Sequence, residues 1–459
     1  MLSLFPFGVK LERRRDGGRE GGKAVSTTAG MGITPDSAGP GDGTAANAVA
    51  PVAGKERIAS LDFIRGIAVM GILAANIVAF GQPFSAYMYP SEFLTGHGDA
   101  ADWMWIGQFI LVDGKMRGLF TLLFGAGLYL FMERVWARGG TRWRQMWRLF
   151  VLMLFGMIHF YLIWYGDILF YYAVVGFVVV PCLRWSAKAQ LWIGLVGYVF
   201  GALLYAAMLS FPYLVADTPA GQGENFAEMR TELAEGKATD IADNAVHTRL
   251  KQSGDYFGLV AHKVAEHWSD PLTNVLLFGL ETLPLMFLGA ALYRFGFFSG
   301  AFDSRRMRFW GWAGVIAGGA AHLAIGLFVR EGGFTYYTTL AAFVGWSPLP
   351  RLLMVLGLAA LMIEYSPAWS GALAERVRAA GRAAFTNYLG TSIVMLFVFH
   401  GWALGLFGEL NRPQLYLVVL LTWALMLAWS KPWLERFRYG PLEWLWRCLT
   451  YGRVFALRK

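Results

Sequence analysis

Apolar runs of about twenty residues recur between positions 62 and 431, separated by short segments rich in arginine, glycine or proline. A run of that length crosses the hydrocarbon of a bilayer as an α-helix, because no water is present there to satisfy an extended backbone. The pattern predicts spans at roughly 62–83, 103–134, 146–164, 167–183, 190–212, 272–294, 309–329, 351–365, 384–404 and 414–431, about ten in all. Two are irregular. Asp113, Lys115 and Arg117 interrupt the second, dividing it into an interfacial helix from Trp103 to Val112 and a crossing from Leu119. Pro348 and Pro350 break the run ahead of the eighth, which leaves its start open between 337 and 351. The expected fold is an all-α polytopic membrane protein.

The polar segments assign sides to these spans. With the N-terminus cytoplasmic, the inner segments hold Arg134, Arg138, Arg142, Arg144 and Arg148, then Arg184 and Lys188, then Arg305, Arg306 and Arg308, then Arg376, Arg378 and Arg382. The long outer segment 213–271 instead carries five basic against ten acidic residues. That asymmetry follows the positive-inside rule and places both termini in the cytoplasm. Segment 213–271 contains two amphipathic stretches, 224–236 and 246–268, which read either as a lid over a membrane cavity or as a passive linker. Residues 1–54, dominated by Gly, Ala, Pro, Ser and Thr after Arg13–Arg15, read as a disordered cytoplasmic tail. The transmembrane domain then occupies 55–431. An interfacial cytoplasmic tail, 432–459, carries Trp433, Trp444 and Trp446.

Composition agrees with this picture. The chain has 56% hydrophobic and 15% charged residues, where a soluble domain carries about a quarter charged. Its net charge of +9 is largely the topology signal just described, so no nucleic-acid partner is expected. Cys182 and Cys448 lie far apart without metal-ligand or redox spacing. His262 and His267 are five apart, a spacing that does not share one helix face, so no metal site is expected. Nucleotide-loop, nucleophile-elbow and zinc-protease motifs are missing from the sequence.

A few polar residues stand where hydrocarbon makes them costly. Asp62, Arg65 and Asn76 lie in the first span; the two charges read as a local ion pair at a helix start or as inward-facing functional groups. His159 and Asp167 flank the short turn between the third and fourth spans, on the outer side. An antiparallel return brings such a carboxylate back to the histidine, giving an oriented general base. The alternative is a histidine bonded to a backbone carbonyl beside an Asp helix cap. Asn76 is expected at the same depth, to orient a substrate, stabilise an oxyanion or join helices. Lys115 and Arg117 either bind an anionic group or snorkel to headgroups. Glu281 near the middle of the sixth span reads as a hydrogen-bonded structural carboxyl or a proton relay. His322 and His400 read as packing residues. Gly314 and Gly318 permit close helix contact within the chain or between two copies, which keeps a homodimer open.

Several ordered motifs resemble the YeiB-like family of bacterial membrane proteins. They are Ser60-Leu61-Asp62-Phe63-x-Arg65-Gly66, Asn76 and Phe80-Gly-x-Pro83, then Lys115 with Leu123-Phe124-Gly125-Ala126-Gly127, then Gly156-x-Ile158-His159 and Gly166-Asp167-Ile168-Leu169. Later come Gly289-Ala-Ala-Leu292, Gly381-Arg382 with Thr386-Asn387-Tyr388-Leu389, and Gly440-Pro441-x-Glu443-Trp444. The resemblance implies a bacterial inner-membrane location and adds Asn387 to the candidate substrate-binding set of Asp62, Arg65, Lys115 and Arg117. More distantly, the first span is similar to that of transmembrane acyltransferases such as heparan glucosaminide acetyltransferase. These move an acyl group from cytoplasmic acyl-CoA to an acceptor across the membrane. Their catalytic histidine lies in the loop after the first span, where this chain has His97, so the functional histidine is either His97 or His159. Two functions are therefore expected. One is an acyltransferase with acyl-CoA as cosubstrate, no tightly bound cofactor and an unknown outer hydroxyl or amine acceptor. The other is a transporter or flippase for a small amphiphile or carbohydrate precursor.

Overall fold

The computed structural model describes residues 59–96 and 98–459. The tail 1–54 and His97 lie outside the described residues. Among the described residues the chain is helical, with one isolated bridge, Phe437 to Arg458, and no strand.

Helix α1 (Ala59–Gly81) has 23 residues, about 34 Å of rise, enough to cross ~30 Å of hydrocarbon. Next come α2 (Asp99–Leu111) and α3 (Lys115–Ala137), separated at Gly114, whose φ of 72° favours a residue without a Cβ. α2 packs against other helices along one face, while Trp103 and Leu111 stay exposed. Trp105, Ile106 and Phe109 bury it against Val329, Phe334 and Phe343, and the charged break 113–117 lies inside the bundle.

After α4 (Trp143–Ile158), a π-helical turn His159–Ile163 and an extended stretch lead to α5 (Leu169–Cys182). At 14 residues α5 rises only about 21 Å, short of a full crossing. α6 (Ala187–Asp217) crosses fully. The predicted amphipathic segment forms α7 (Ala227–Ser253) and α8 (Tyr256–Glu266). The expected single stretch 246–268 is broken because Gly254 adopts φ 75° and Asp255 caps α8 by accepting from Gly258 N at 2.8 Å. These helices form a cap rather than a passive linker. Tyr256 donates to Leu162 O, Tyr161 to Trp268 O, and Gly401 N to Lys251 O, at 2.7, 2.7 and 2.8 Å.

The chain returns through α9 (Asp270–Arg294) and α10 (Ser304–Glu331). A short α11 (Tyr336–Leu340) runs through a second π-helical turn, Ala341–Trp346, into α12 (Pro348–Tyr365). The last helices are α13 (Ala372–Arg382), α14 (Ala384–Phe399), α15 (Arg412–Arg436) and α16 (Pro441–Tyr451). Eight helical segments among the described residues are long and apolar enough to span, or nine with the α13–α14 pair, bent by 87°. The sequence predicts about ten; the difference is α5, apolar but short.

Close approaches fix the bundle. A Cβ on Gly289 of α9 would overlap the Leu122 carbonyl of α3, and one on Gly125 would overlap the Met286 carbonyl, so the two motif glycines let these helices touch backbone to backbone. Gly314 and Gly318 press on the Leu353 and Pro350 carbonyls of α12, so their close contact is made within the chain.

Candidate functional site

The π-helical turn after α4 carries His159, and the chain then reverses so that Asp167 precedes α5. His159 Nδ1 and Asp167 Oδ1 lie 2.8 Å apart, with His159 fully buried and Asp167 6% exposed. The second carboxylate oxygen accepts from Phe170 N at 2.7 Å and so caps α5. Both readings of Asp167 therefore hold at once, while the histidine ring bonds to the carboxylate and not to a backbone carbonyl. With Nδ1–H directed at the carboxylate, Nε2 is the basic nitrogen. That Nε2 is buried and has no hydrogen-bond partner among the described residues. Tyr388 and Trp164 pack their rings on the imidazole at centroid distances of 5.2 and 6.2 Å. Gly156 is required here, since a Cβ would strike Phe170 N and crowd Asp167 Oδ2.

A half-open cleft adjoins this pair on the cap side, lined by Phe80, Trp164, Lys251, Lys263, Ser392 and His400 among others. Trp164 belongs to both: its ring packs on His159, lines the cleft and stacks on Phe80 at 4.1 Å. Burial, and then the neighbouring Lys263, push Lys251 down to about 7, and burial pushes Lys263 down to about 8. An anionic group beside them would favour the charged form of both. His400 lines this cleft, while His322 is a buried packing residue with its Nδ1 2.8 Å from Gly318 O.

Asn76 is half-buried and makes no side-chain hydrogen bond among the described residues, to the His159–Asp167 pair or elsewhere. It precedes the Phe80–Trp164 stack by one turn. At the other end of α1, Arg65 donates to Asp62 at 3.2 Å, the local ion pair of a helix start. Asn387, placed among the substrate-binding residues by resemblance, is buried and engaged. Its amide donates to Ala380 O and Ser430 Oγ at 3.0 and 3.2 Å and accepts from Trp429 Nε1 at 3.0 Å. This corrects the expectation, because those bonds join α13, α14 and α15 and leave no face turned to a substrate.

Lys115 and Arg117 do not snorkel. Lys115 is 0% exposed and donates to Phe109 O at 2.5 Å, with one acceptor for its three N–H groups among the described residues. Arg117 meets Glu281 Oε2 at 2.5 Å, and Arg351 Nη1 meets both oxygens of the same carboxylate at 3.0 and 2.9 Å. Tyr198 donates to it at 3.0 Å. Glu281 is thus a charged clasp between two arginines and not an isolated carboxyl. Asp113 accepts from Tyr87 and Gln108, each at 3.1 Å, and Gln108 accepts from Arg412 at 3.1 Å. Four basic side chains thus share this buried network with two carboxylates. It lies where the α2–α3 and α11–α12 breaks meet, since a Cβ on Gly114 would strike the Arg351 guanidinium. Sequence reading missed Arg351; its place directly behind Pro348 and Pro350, at a broken span, is the signal that marks it.

The cap holds a second cluster. Asp243 and His247 on α7, His262 on α8 and His267 just past its end each offer a ligand atom within 4.8 Å of the others. The expectation that His262 and His267 do not meet is overturned because α8 stops at Glu266, which frees His267 from the helical register.

Comparison with known proteins places this architecture. The chain is 32% identical over 406 residues to the uncharacterized protein YeiB of Escherichia coli, covering 86% of this chain and 96% of that protein. The chain belongs to the YeiB-like family. It is also 29% identical over 416 residues to the uncharacterized protein YxaH of Bacillus subtilis, covering 87% of this chain and 96% of that relative. Residues 292–453 match the family described as protein of unknown function DUF418. No solved structure matches the chain. Two motifs shared by resemblance acquire a physical meaning in this family member: Glu443 of α16 accepts from Phe385 N at 2.8 Å and from Thr386 N and Oγ1 at 3.2 and 2.5 Å, capping α14.

Proposed function

We propose that this YeiB-like protein is a membrane-embedded acyltransferase that moves an acyl group from acyl-CoA to a hydroxyl or amine acceptor. The observation that carries the reading is the buried His159–Asp167 pair, whose basic Nε2 has no hydrogen-bond partner among the described residues. A buried nitrogen left unsatisfied is costly unless something occupies its hydrogen-bonding direction in the working state. In this reading Nε2 accepts the acceptor's O–H or N–H proton as that atom attacks the thioester carbonyl. The bond to sulfur breaks, and His159 returns the proton to the departing thiolate. Asp167 holds the tautomer and stabilises the imidazolium. Asn76, with its amide uncommitted, supplies a donor for the oxyanion or holds the acceptor.

Lys251 and Lys263 beside the cap-side cleft suit an acceptor that carries an anionic group; the cleft, about 10 Å³ as it stands, opens as Trp164 swings aside to admit the acceptor to His159. We place the protein in the bacterial inner membrane with both termini cytoplasmic, so that acyl-CoA arrives from the side opposite the cap. Acyl-CoA serves as cosubstrate and not as a resident cofactor. The test is transfer of label from radiolabelled acetyl-CoA into membrane lipid or glycan by the full chain in nanodiscs. Wild type should form product, and His159→Ala should lose about 10²–10⁴ in rate while folding normally.

A second reading is favoured by a separate observation. Two broken spans meet at buried charges, an arrangement used by transporters to bind a solute at mid-membrane. Accumulation of an unmodified solute without labelled product would select it.

A further inference from the structure

The cap cluster leaves one of its buried histidines without a hydrogen bond among the described residues. Asp243 Oδ1 lies 3.1 Å from His262 Nε2 and 3.2 Å from His267 Nε2, while His267 Nδ1 lies 3.0 Å from Asp270 Oδ2. A neutral imidazole carries one N–H, so His267 can serve both carboxylates by hydrogen bonds only as an imidazolium. Beside it stands His247, 5% exposed, with neither ring nitrogen hydrogen-bonded among the described residues. Its Nε2 is 4.0 Å from Asp243 Oδ2. The three imidazoles face one another edge to face at centroid distances of 4.9, 5.2 and 5.5 Å.

We infer that Asp243, His247, His262 and His267 form a binding site for a divalent transition metal of the zinc class, which fixes the cap over the cleft. Metal–nitrogen bonds of about 2.0–2.1 Å in a tetrahedron put neighbouring ligand atoms about 3.3 Å apart, close to the two short separations already present. A metal on His267 Nε2 leaves Nδ1–H free to donate to Asp270, the carboxylate–histidine–metal relay that orients such ligands. It also gives the buried His247 a partner. Three neutral imidazoles and one carboxylate oxygen suit zinc over magnesium or calcium, which prefer all-oxygen sets. Asp243, a third exposed, leaves an entry path.

The placement gives the metal a task. His247 lies one turn before Lys251 on α7, and His262 adjoins Lys263 on α8, so the ion joins the two helices that bring these lysines into the cleft. With four protein ligands the site is a structural clip, not a centre with an open position. This inference stands apart from acyl transfer and would survive its failure.

The experiment uses the full chain in nanodiscs with its affinity tag removed, stripped with chelator and then given zinc or cobalt. Elemental analysis should find one zinc per chain after desalting, and the cobalt form should show the intense visible absorption of tetrahedral coordination. His247→Ala and His267→Ala should lose stoichiometric retention. Asp270→Asn, which leaves all four ligands in place and needs no refolding of the cap, should weaken affinity by about 10–100-fold. His322→Ala should change nothing. Sub-stoichiometric zinc in wild type, a pale octahedral cobalt spectrum, or retention unaltered by the histidine and Asp270 variants would overturn the site.

Discussion

Replacing Glu281 by glutamine tests whether the buried clasp is ionised and cohesive. The carboxylate accepts from Arg117 at 2.5 Å, from Arg351 at 2.9 and 3.0 Å and from Tyr198 at 3.0 Å. Glutamine keeps the volume and one acceptor oxygen but turns a donor toward a guanidinium. At least two charge-assisted bonds are lost, each worth about 1.5–3 kcal/mol. Removal of one partner also leaves two arginines short of counter-charge, for which losses of about 3–5 kcal/mol are typical. We therefore expect Glu281→Gln to destabilise by about 3–5 kcal/mol, read as denaturant-induced unfolding in detergent micelles. Adding Arg117→Met should restore part of this, because it removes one of the stranded charges. The double variant should thus cost at least about 1 kcal/mol less than the sum of the single ones. A Glu281→Gln loss under about 1 kcal/mol, or strict additivity, would refute the ionised clasp and imply a protonated or hydrated carboxyl.

Three other outcomes follow from named contacts. Gly156→Ala should overpack the hairpin by about 1–3 kcal/mol and, by displacing Asp167, reduce acyl transfer nearly as far as His159→Ala; a stable variant with full activity would contradict the geometry. Asn387→Ala should cost about 1–3 kcal/mol for each buried partner it strands, Trp429 Nε1 foremost, with no change in apparent substrate affinity; intact stability with weakened affinity would return Asn387 to the binding set. Zinc at a hundred times its Kd should raise stability by about 2.7 kcal/mol in wild type and not at all in His247→Ala, followed by the same unfolding assay.

The apolar runs made the helices legible because a bilayer imposes one length and one satisfied backbone on every span. They did not reveal that α5 stops short, since its fourteen residues are as apolar as any full span and the irregular stretch 164–168 ahead of it carries no strong breaker beyond Gly166. The His159–Asp167 pair was readable because its partners are eight residues apart across one reversal. Glu281 and Arg351 are seventy residues apart, and no local pattern could join them. The cap cluster escaped for a related reason. Face arithmetic on His262 and His267 assumed one continuous helix, but Glu266 ends it, and the other two ligands come from α7. Asn387 misled in the opposite direction: its motif drew attention, and its bonds to Ala380, Ser430 and Trp429 show that the motif holds three helices together.

The most direct test of the central claim is transfer of radiolabel from acetyl-CoA to a lipid- or glycan-bound product, by wild-type, His159→Ala and Asp167→Asn protein in nanodiscs, each checked for intact folding. The account predicts a labelled product from wild type and a loss of about 10²–10⁴ in rate for His159→Ala, with Asp167→Asn also impaired. Labelled product formed equally well by folded His159→Ala would contradict it.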